Sequence, residues 1–246
     1  MKVTCLCPTY FARPSSLVGN SIACFEAQTY RDAFLIVYDD TGHFWSESAE
    51  TWLLVSNAER RQTLSAKYNH MAFNLASKNT DIFIVWEDDD IYLPWHVEAC
   101  VKALEAPGAT WAHPSHAWAL TTGKPVLERV GGNMHASLAF RREALKALGG
   151  WPDTKRADFD LQLIANARRE FGPPANPLEH FPPSYMFRWG STGTIHGQSF
   201  GRSPGDEEWY ERAGKQPRPE GSREVVPAMD AETARLVEEM SKGLSV

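Results

Sequence analysis

Two apolar runs of five residues, each driven straight into a cluster of acids, constrain this chain more than any other feature: Phe34-Leu-Ile-Val-Tyr38 meets Asp39-Asp40, and Ile82-Phe-Ile-Val-Trp86 meets Glu87-Asp88-Asp89-Asp90. A run without alternating polar positions is a strand buried on both faces, the kind found in mainly parallel sheets covered by helices. In open α/β sheets ligands bind beyond the carboxyl ends of the strands, so both acid clusters lie where a site is expected. Four adjacent carboxylates repel one another, and a hard divalent cation, Mn2+ or Mg2+, bridging a diphosphate would relieve them. The plain alternatives are a solvated loop ahead of a helix for residues 87–90 and an Asx-type turn for Asp39-Asp40-Thr41-Gly42.

The surrounding pattern agrees with an α/β fold. A strand over Lys2–Cys7 leads to a helix over Ser15–Gln28, and Trp52–Val55 reads as a further strand. Leu64, Tyr68, Met71, Ala72 and Leu75 make a helical stripe before the second acid-tipped run. The next helix opens at Pro94 with Val97, Cys100, Val101 and Leu104 on one face. After Pro107 the segments shorten: a hairpin over Ala117–Leu120 and Pro125–Val130, a strand over Ser137–Phe140, and helices over Arg142–Leu148 and Asp158–Glu170. Residues 203–227 are rich in Pro, Gly and charge and read as an exposed arm. Asp230 caps a last helix carrying Leu236, Val237, Met240 and Leu244 on one side. The expected organisation is a domain over 1–202 in two halves (1–106 and 107–202), then a C-terminal arm and helix over 203–246.

Composition excludes several classes. The 246 residues are 43% hydrophobic and 23% charged, an ordinary globular profile and not a disordered one. The apolar runs fall far short of the ~20 residues that cross a bilayer, and Lys2 precedes only a short apolar stretch that Pro8 interrupts, so the chain is expected to be cytoplasmic. The net charge of −6 gives no broad attraction to nucleic acid. Cys5, Cys7, Cys24 and Cys100 lack paired zinc spacing and read as buried free thiols.

The segment after the first strand, Pro8-Thr9-Tyr10-Phe11-Ala12-Arg13-Pro14, has none of the glycines of a dinucleotide or phosphate-binding loop, which argues against a Rossmann dehydrogenase and a P-loop NTPase. It offers instead an aromatic plane, Tyr10, for stacking on a base, and a guanidinium fork, Arg13, for a phosphate or carboxylate.

In order along the chain, Pro8-Thr9-Tyr10 with Arg13, Gln28-Thr29-Tyr30, Ile36-Val37-Tyr38-Asp39-Asp40-Thr41-Gly42, Ser65-Ala66-Lys67-Tyr68-Asn69 and Glu87-Asp88-Asp89-Asp90-Ile91-Tyr92-Leu93-Pro94 resemble the landmarks of GT-A-type family two glycosyltransferases, over about residues 1–200. The resemblance implies a GT-A-like mainly parallel sheet flanked by helices, a nucleotide-diphospho-sugar donor with UDP favoured, a hydroxyl acceptor, and a divalent metal. By position it puts Thr9 and Tyr10 at the base pocket and makes Asp39 an acceptor of a hydrogen bond from the base. Lys67 stands where the family has arginine near the nucleotide. The acid run corresponds to D-x-D-D with Glu87 first; Asp89 would ligate the metal, and Glu87 and Asp88 would lie nearer the ribose, the sugar or metal-bound water.

Downstream, Arg141-Arg142, Gly149-Gly150-Trp151-Pro152 and Asp158-Phe159-Asp160-Leu161 resemble the acceptor-side signature in which Glu-Asp introduces a helix, with Ala157 in place of the glutamate. Helical spacing puts Asp158 on the side of Leu161 and Ala165 and turns Asp160 about 200° away, so Asp158 is the expected catalytic base of an inverting transfer. His196, in a glycine-rich loop, would join the metal or diphosphate, aided by Arg202. Trp95, Trp151 and Trp189 are candidate sugar platforms, and His135 is a lone histidine without a pattern. Two rivals are a sugar-phosphate nucleotidyltransferase, which generally has a glycine-rich basic phosphate loop, and a non-catalytic carbohydrate-binding protein on the same fold.

Overall fold

A computed structural model describes residues 1–10, 13–120, 124–130, 134–154, 156, 158–188 and 224–242. The expected His196, Arg202 and Trp189, and most of the arm from 203, lie outside the described residues. In chain order the elements are β1 (Val3–Thr9), α1 (Ser15–Glu26), β2 (Ala33–Asp39), β3 (Glu47–Ser48), β4 (Trp52–Ser56), α2 (Leu64–His70) running on into a π-helical turn (Met71–Leu75), β5 (Ile82–Val85), β6 (Ile91–Tyr92) and α3 (His96–Leu104). There follow β7 (Trp111–Ala112), β8 (His116–Leu120), β9 (Pro125–Arg129), β10 (Ala139–Arg141), α4 (Arg142–Ala147), α5 (Phe159–Phe171), a 3-10 turn (Pro177–Glu179), β11 (Tyr185–Arg188) and α6 (Ala231–Lys242).

The main sheet has seven strands in the order β3-β4-β2-β1-β5-β10-β7. Its centre, β4-β2-β1-β5, is parallel, and β3, β10 and β7 join antiparallel at the two sides. Successive residues of the central strands feed opposite layers, because side chains alternate across a strand. Cys5, Leu35, Val37, Ile82 and Ile84 pack with Val18, Ile22, Val97, Cys100 and Leu104 of α1 and α3. Leu6, Ile36, Phe83 and Val85 pack on the other face with Tyr68, Leu145, Leu163 and Ile164 of α2, α4 and α5. Full burial of one such side chain contributes about 2 kcal/mol, so a polar residue at either alternate position costs one layer. All four cysteines are buried and free.

A second sheet of four strands, β6-β11-β8-β9, contains the expected hairpin as the antiparallel pair β8 and β9. The strand expected from Ser137 begins only at Ala139, because Ser137 adopts φ 67°, a left-handed conformation that ends extended pairing. Asp230 caps α6 through the Thr233 N–H at 2.7 Å. The segment 224–242 is packed on the body: Asn20 of α1 donates to the Thr233 hydroxyl at 2.9 Å, and Val225 and Leu236 enter the core.

Because β1, β2 and β5 are parallel, their carboxyl ends open on one edge. Thr9 pairs with Asp39 and Leu6 with Val85 in register, so the segments after all three strands meet there.

Candidate active site

The acids after β5 are inside the protein: Asp88, Asp89 and Asp90 are all buried. Their repulsion is relieved by a side chain. The Arg13 guanidinium, presented by the turn ahead of α1, grips Asp88 with Nε at 2.9 Å and Nη2 at 2.8 Å, and reaches Asp89 with Nη1 at 3.0 Å. Burial works against the charge on Arg13, but Asp88 and Asp89 outweigh it and hold its pKa above the ordinary value. Burial pushes Asp88 up to about 6 against the pull of Arg13. Asp90 faces the second sheet, accepting from the Tyr185 hydroxyl at 2.5 Å and the Arg188 N–H at 3.0 Å, and Arg188 Nε donates to the Asp89 carbonyl at 2.5 Å. Tyr10 stands 5.6 Å from the Arg13 guanidinium.

Glu87 is different. Only partly buried, it accepts at Oε1 from the Tyr68 hydroxyl at 3.0 Å and pairs there with His135 Nδ1 at 3.2 Å. Its Oε2 takes no hydrogen bond among the described residues. Tyr68, driven well above the ordinary phenol range by burial and by Glu87, is a fixed donor. Its ring stacks on Trp151 with centroids 4.9 Å apart, and the Trp151 indole N–H donates to His135 Nε2 at 2.8 Å. Trp151 is buried, so it serves as a donor behind Tyr68 and His135 and not as the expected sugar platform.

The β2 end is a closed clamp. Asp39 accepts from the Thr41 N–H at 2.8 Å, the His43 N–H at 2.7 Å, the Phe44 N–H at 3.2 Å and the Ser56 hydroxyl at 2.7 Å, and from the Thr41 hydroxyl as well. With five donors in hand, Asp39 holds its own loop, the turn reading of this motif; contact with a base would require it to shed one. Asp40, the second acid of this cluster, pairs with Arg60 at 2.8 Å and Lys67 at 2.7 Å. Lys67 also donates to the Thr9 carbonyl at 2.6 Å. Burial lowers its pKa, with Asp40 opposing. Lys67 thus ties the ends of β1 and β2 together, and Thr9 is buried beneath that tie.

At the start of α5 the expected orientation is corrected. The buried side of the helix is Phe159, Leu163, Ile164 and Ala167, while Leu161 is 42% exposed. The Leu161 side that Asp158 shares faces solvent, and Asp160, with Leu163, Ile164 and Ala167 three, four and seven residues on, begins the packed side. Asp158 accepts both arms of Arg156 at 2.9 Å and Gln162 at 3.0 Å; the hydrogen bond from Arg156 holds its carboxyl below the usual range. Burial raises the pKa of Asp160, and the nearby Glu87 carboxylate acts in the same direction.

The residues do not form a ready cage for a divalent ion. Among the described residues no three His, Cys, Asp or Glu side chains gather around one point, and the carboxylates expected to take the ion are held by Arg13. The expected ligand His196 lies outside the described residues.

Solved structures with a similar arrangement of strands and helices include TarS and a mannosyltransferase. Residues 1–349 of TarS from S. aureus, in complex with UDP-GlcNAc, superpose with a TM-score of 0.60 at 14% identity over 86% of this chain and 64% of that one. The mannosyltransferase PcManGT from Pyrobaculum calidifontis, in complex with GDP-Man and Mn2+, gives 0.51 at 21% identity over 76% of this chain and 56% of that one. The chain has the GT-A fold. It spans under two thirds of the length of these GT-A chains. No family model and no curated protein matches the sequence. No described helix is long and apolar enough to cross a membrane.

Within the GT-A fold, the edge that gathers the ends of β1, β2 and β5 carries Thr9, Tyr10, Arg13, Asp39, Lys67, Glu87, Asp88 and Asp89. It adds Tyr68, His135 and Trp151, two of which lie in motifs of the sequence. His135 has no sequence signal beyond its residue type, because its neighbours come from three distant segments.

Proposed function

We propose that the chain is a glycosyltransferase that moves a sugar, with inversion, from a nucleotide-diphospho-sugar, UDP-linked by preference, to an acceptor hydroxyl. The observation that carries the reading is the GT-A sheet edge, where Glu87, whose Oε2 takes no hydrogen bond among the described residues, lies beside the Arg13, Asp88 and Asp89 ion cluster.

In the reaction the acceptor oxygen attacks the anomeric carbon as its proton passes to a carboxylate of the protein. The bond from that carbon to the diphosphate oxygen breaks, and the nucleoside diphosphate leaves with the electron pair. Tyr10 offers its ring to the base, and Glu87 accepts from hydroxyls of the donor. Two carboxylates of the first turn of α5 compete for the proton. Asp158 has the family position and must release Arg156 to act. Asp160 is the second reading, favoured by its place on the packed side of α5 and by burial that raises its pKa and so makes its carboxylate the stronger proton acceptor.

A divalent ion, Mn2+ or Mg2+, is proposed to join only together with the donor. Arg13 occupies oxygens of both Asp88 and Asp89 and offsets one of their two charges, so an ion gains little from these carboxylates until the diphosphate adds its own. Titration with Mn2+ should show weak binding to the free protein and tighter binding with UDP present. The main experiment offers UDP- and GDP-sugars with Mn2+ and measures released nucleoside diphosphate. Binding of neither nucleotide by calorimetry would sink the reading. Pyrophosphate release from a nucleoside triphosphate plus a sugar phosphate would replace it with the nucleotidyltransferase, and sugar binding without nucleotide with the carbohydrate-binding protein. Asp158→Asn and Asp160→Asn separate the two bases: the true one loses transfer by orders of magnitude with donor binding retained.

A further inference from the structure

We infer that His135 is a positioning residue for the donor, held in one tautomer by Trp151 so that its Nδ1–H fixes Glu87 with Oε2 turned to the hydroxyls of the donor's sugar or ribose. The inference rests on the glycosyl-transfer reading for the identity of those hydroxyls. It does not rest on that reading for the geometry.

An indole N–H can only donate. Trp151 Nε1 lies 2.8 Å from His135 Nε2, so Nε2 is the acceptor and the ring proton of the neutral imidazole sits on Nδ1. Nδ1 is the atom 3.2 Å from Glu87 Oε1, and the same oxygen takes the Tyr68 hydroxyl at 3.0 Å. Two donors on one carboxylate oxygen set the rotation of the group and leave the other oxygen to a ligand. The aromatic surroundings fix the imidazole plane: Tyr68 meets it edge-on at 4.8 Å and Phe159 at 5.2 Å.

The backbone is shaped to the same end. The Leu138 N–H closes a turn onto the His135 carbonyl at 3.2 Å, and Ser137 within that turn holds φ 67° with its buried hydroxyl unpartnered among the described residues. Both features cost stability and are of no use to β10, which starts beyond them. They do orient His135 toward Glu87. On the other side Asn69 fixes Trp151 through its N–H and its carbonyl, both at 2.8 Å.

Asparagine and glutamine divide the two jobs of the imidazole. His135→Asn places an amide N–H near Nδ1 and leaves the Trp151 N–H without its acceptor. His135→Gln places an amide oxygen near Nε2 and leaves Glu87 with Tyr68 alone. The expected rankings are opposite: His135→Gln weakens binding of UDP-GlcNAc or GDP-mannose about tenfold or more while His135→Asn stays within about threefold, whereas His135→Asn has the lower Tm. A role in packing alone would rank the variants the same way in both measurements, and that result overturns the inference. The 15N imidazole spectrum of the wild type reads the tautomer without any ligand; an Nε2–H signal for His135 overturns the inference and an Nδ1–H signal supports it. Failure of the wild type to bind either nucleotide sugar sinks the transferase reading, while the spectrum still decides the histidine.

Discussion

Gly150→Ala should unfasten Trp151 from Asn69. Gly150 has φ 84°, and a Cβ there would lie 2.2 Å from Asn69 Oδ1 and 2.8 Å from the Phe73 ring. A non-glycine residue in the left-handed region costs about 1–2 kcal/mol. Displacing Asn69 also breaks its two hydrogen bonds with the Trp151 backbone, both at 2.8 Å, at about 1 kcal/mol each. The sum is about 3–4 kcal/mol, which for a chain of this size lowers Tm by about 10 °C. Gly149→Ala is the internal control: φ is 77° and nothing lies within 4 Å of the added carbon. It therefore costs only the backbone part, about 1–2 kcal/mol. Thermal and urea unfolding of the two variants side by side measure the difference. Equal losses would show that Asn69 yields freely and would refute its role as the clamp on Trp151.

Arg13→Met leaves Asp88 and Asp89 buried without their counter-ion and should destabilise the protein by about 3–5 kcal/mol, read by urea unfolding; a loss under 1 kcal/mol would mean the acids are not held as described. Acidification should destabilise the protein through two buried histidines: burial takes His96 down to about 3 and His113 down to about 4. Between the unfolded value near 6.5 and these folded values the unfolded chain binds more protons, so stability is present above pH 6.5 and falls as the pH drops. From pH 7 to pH 5 each contributes a loss of about 2 kcal/mol. His96→Gln should shrink the difference between those two pH values by about that amount; an unchanged difference would exclude His96 as its source. Asp39→Asn removes one acceptor from a loop that uses both oxygens and should lower Tm by several degrees, together with nucleotide affinity if that loop borders the base.

The elements of the fold were legible in local pattern. A continuous apolar run demands burial on both faces, so Phe34–Tyr38 and Ile82–Trp86 announced the middle of a covered parallel sheet, and parallel pairing alone then forces their acidic ends to one edge. Helix spacing, the cap at Asp230 and the breaks at glycine and proline are local for the same reason: each is decided within one or two turns of chain. That also explains why an acid-bearing edge and the candidate residues around it were visible before any coordinates.

Which side chain answers which charge was not local. Arg13 meets Asp88 across 75 residues, Trp151 meets His135 in a buried pair, and Asp90 meets Tyr185 across 95 residues. Composition shows only that acids and bases are present; folding decides that Arg13 pairs with Asp89, the acid foreseen as a metal ligand, and that Asp39 spends its oxygens on its own loop. The orientation of α5 failed to follow from spacing because Leu161 is apolar yet faces solvent, and only packing against the sheet reveals which side of a helix is turned inward. The free energy of a buried charge or hydrogen bond depends on atoms brought together from distant segments, so the sheet edge could be read one strand at a time and its wiring could not.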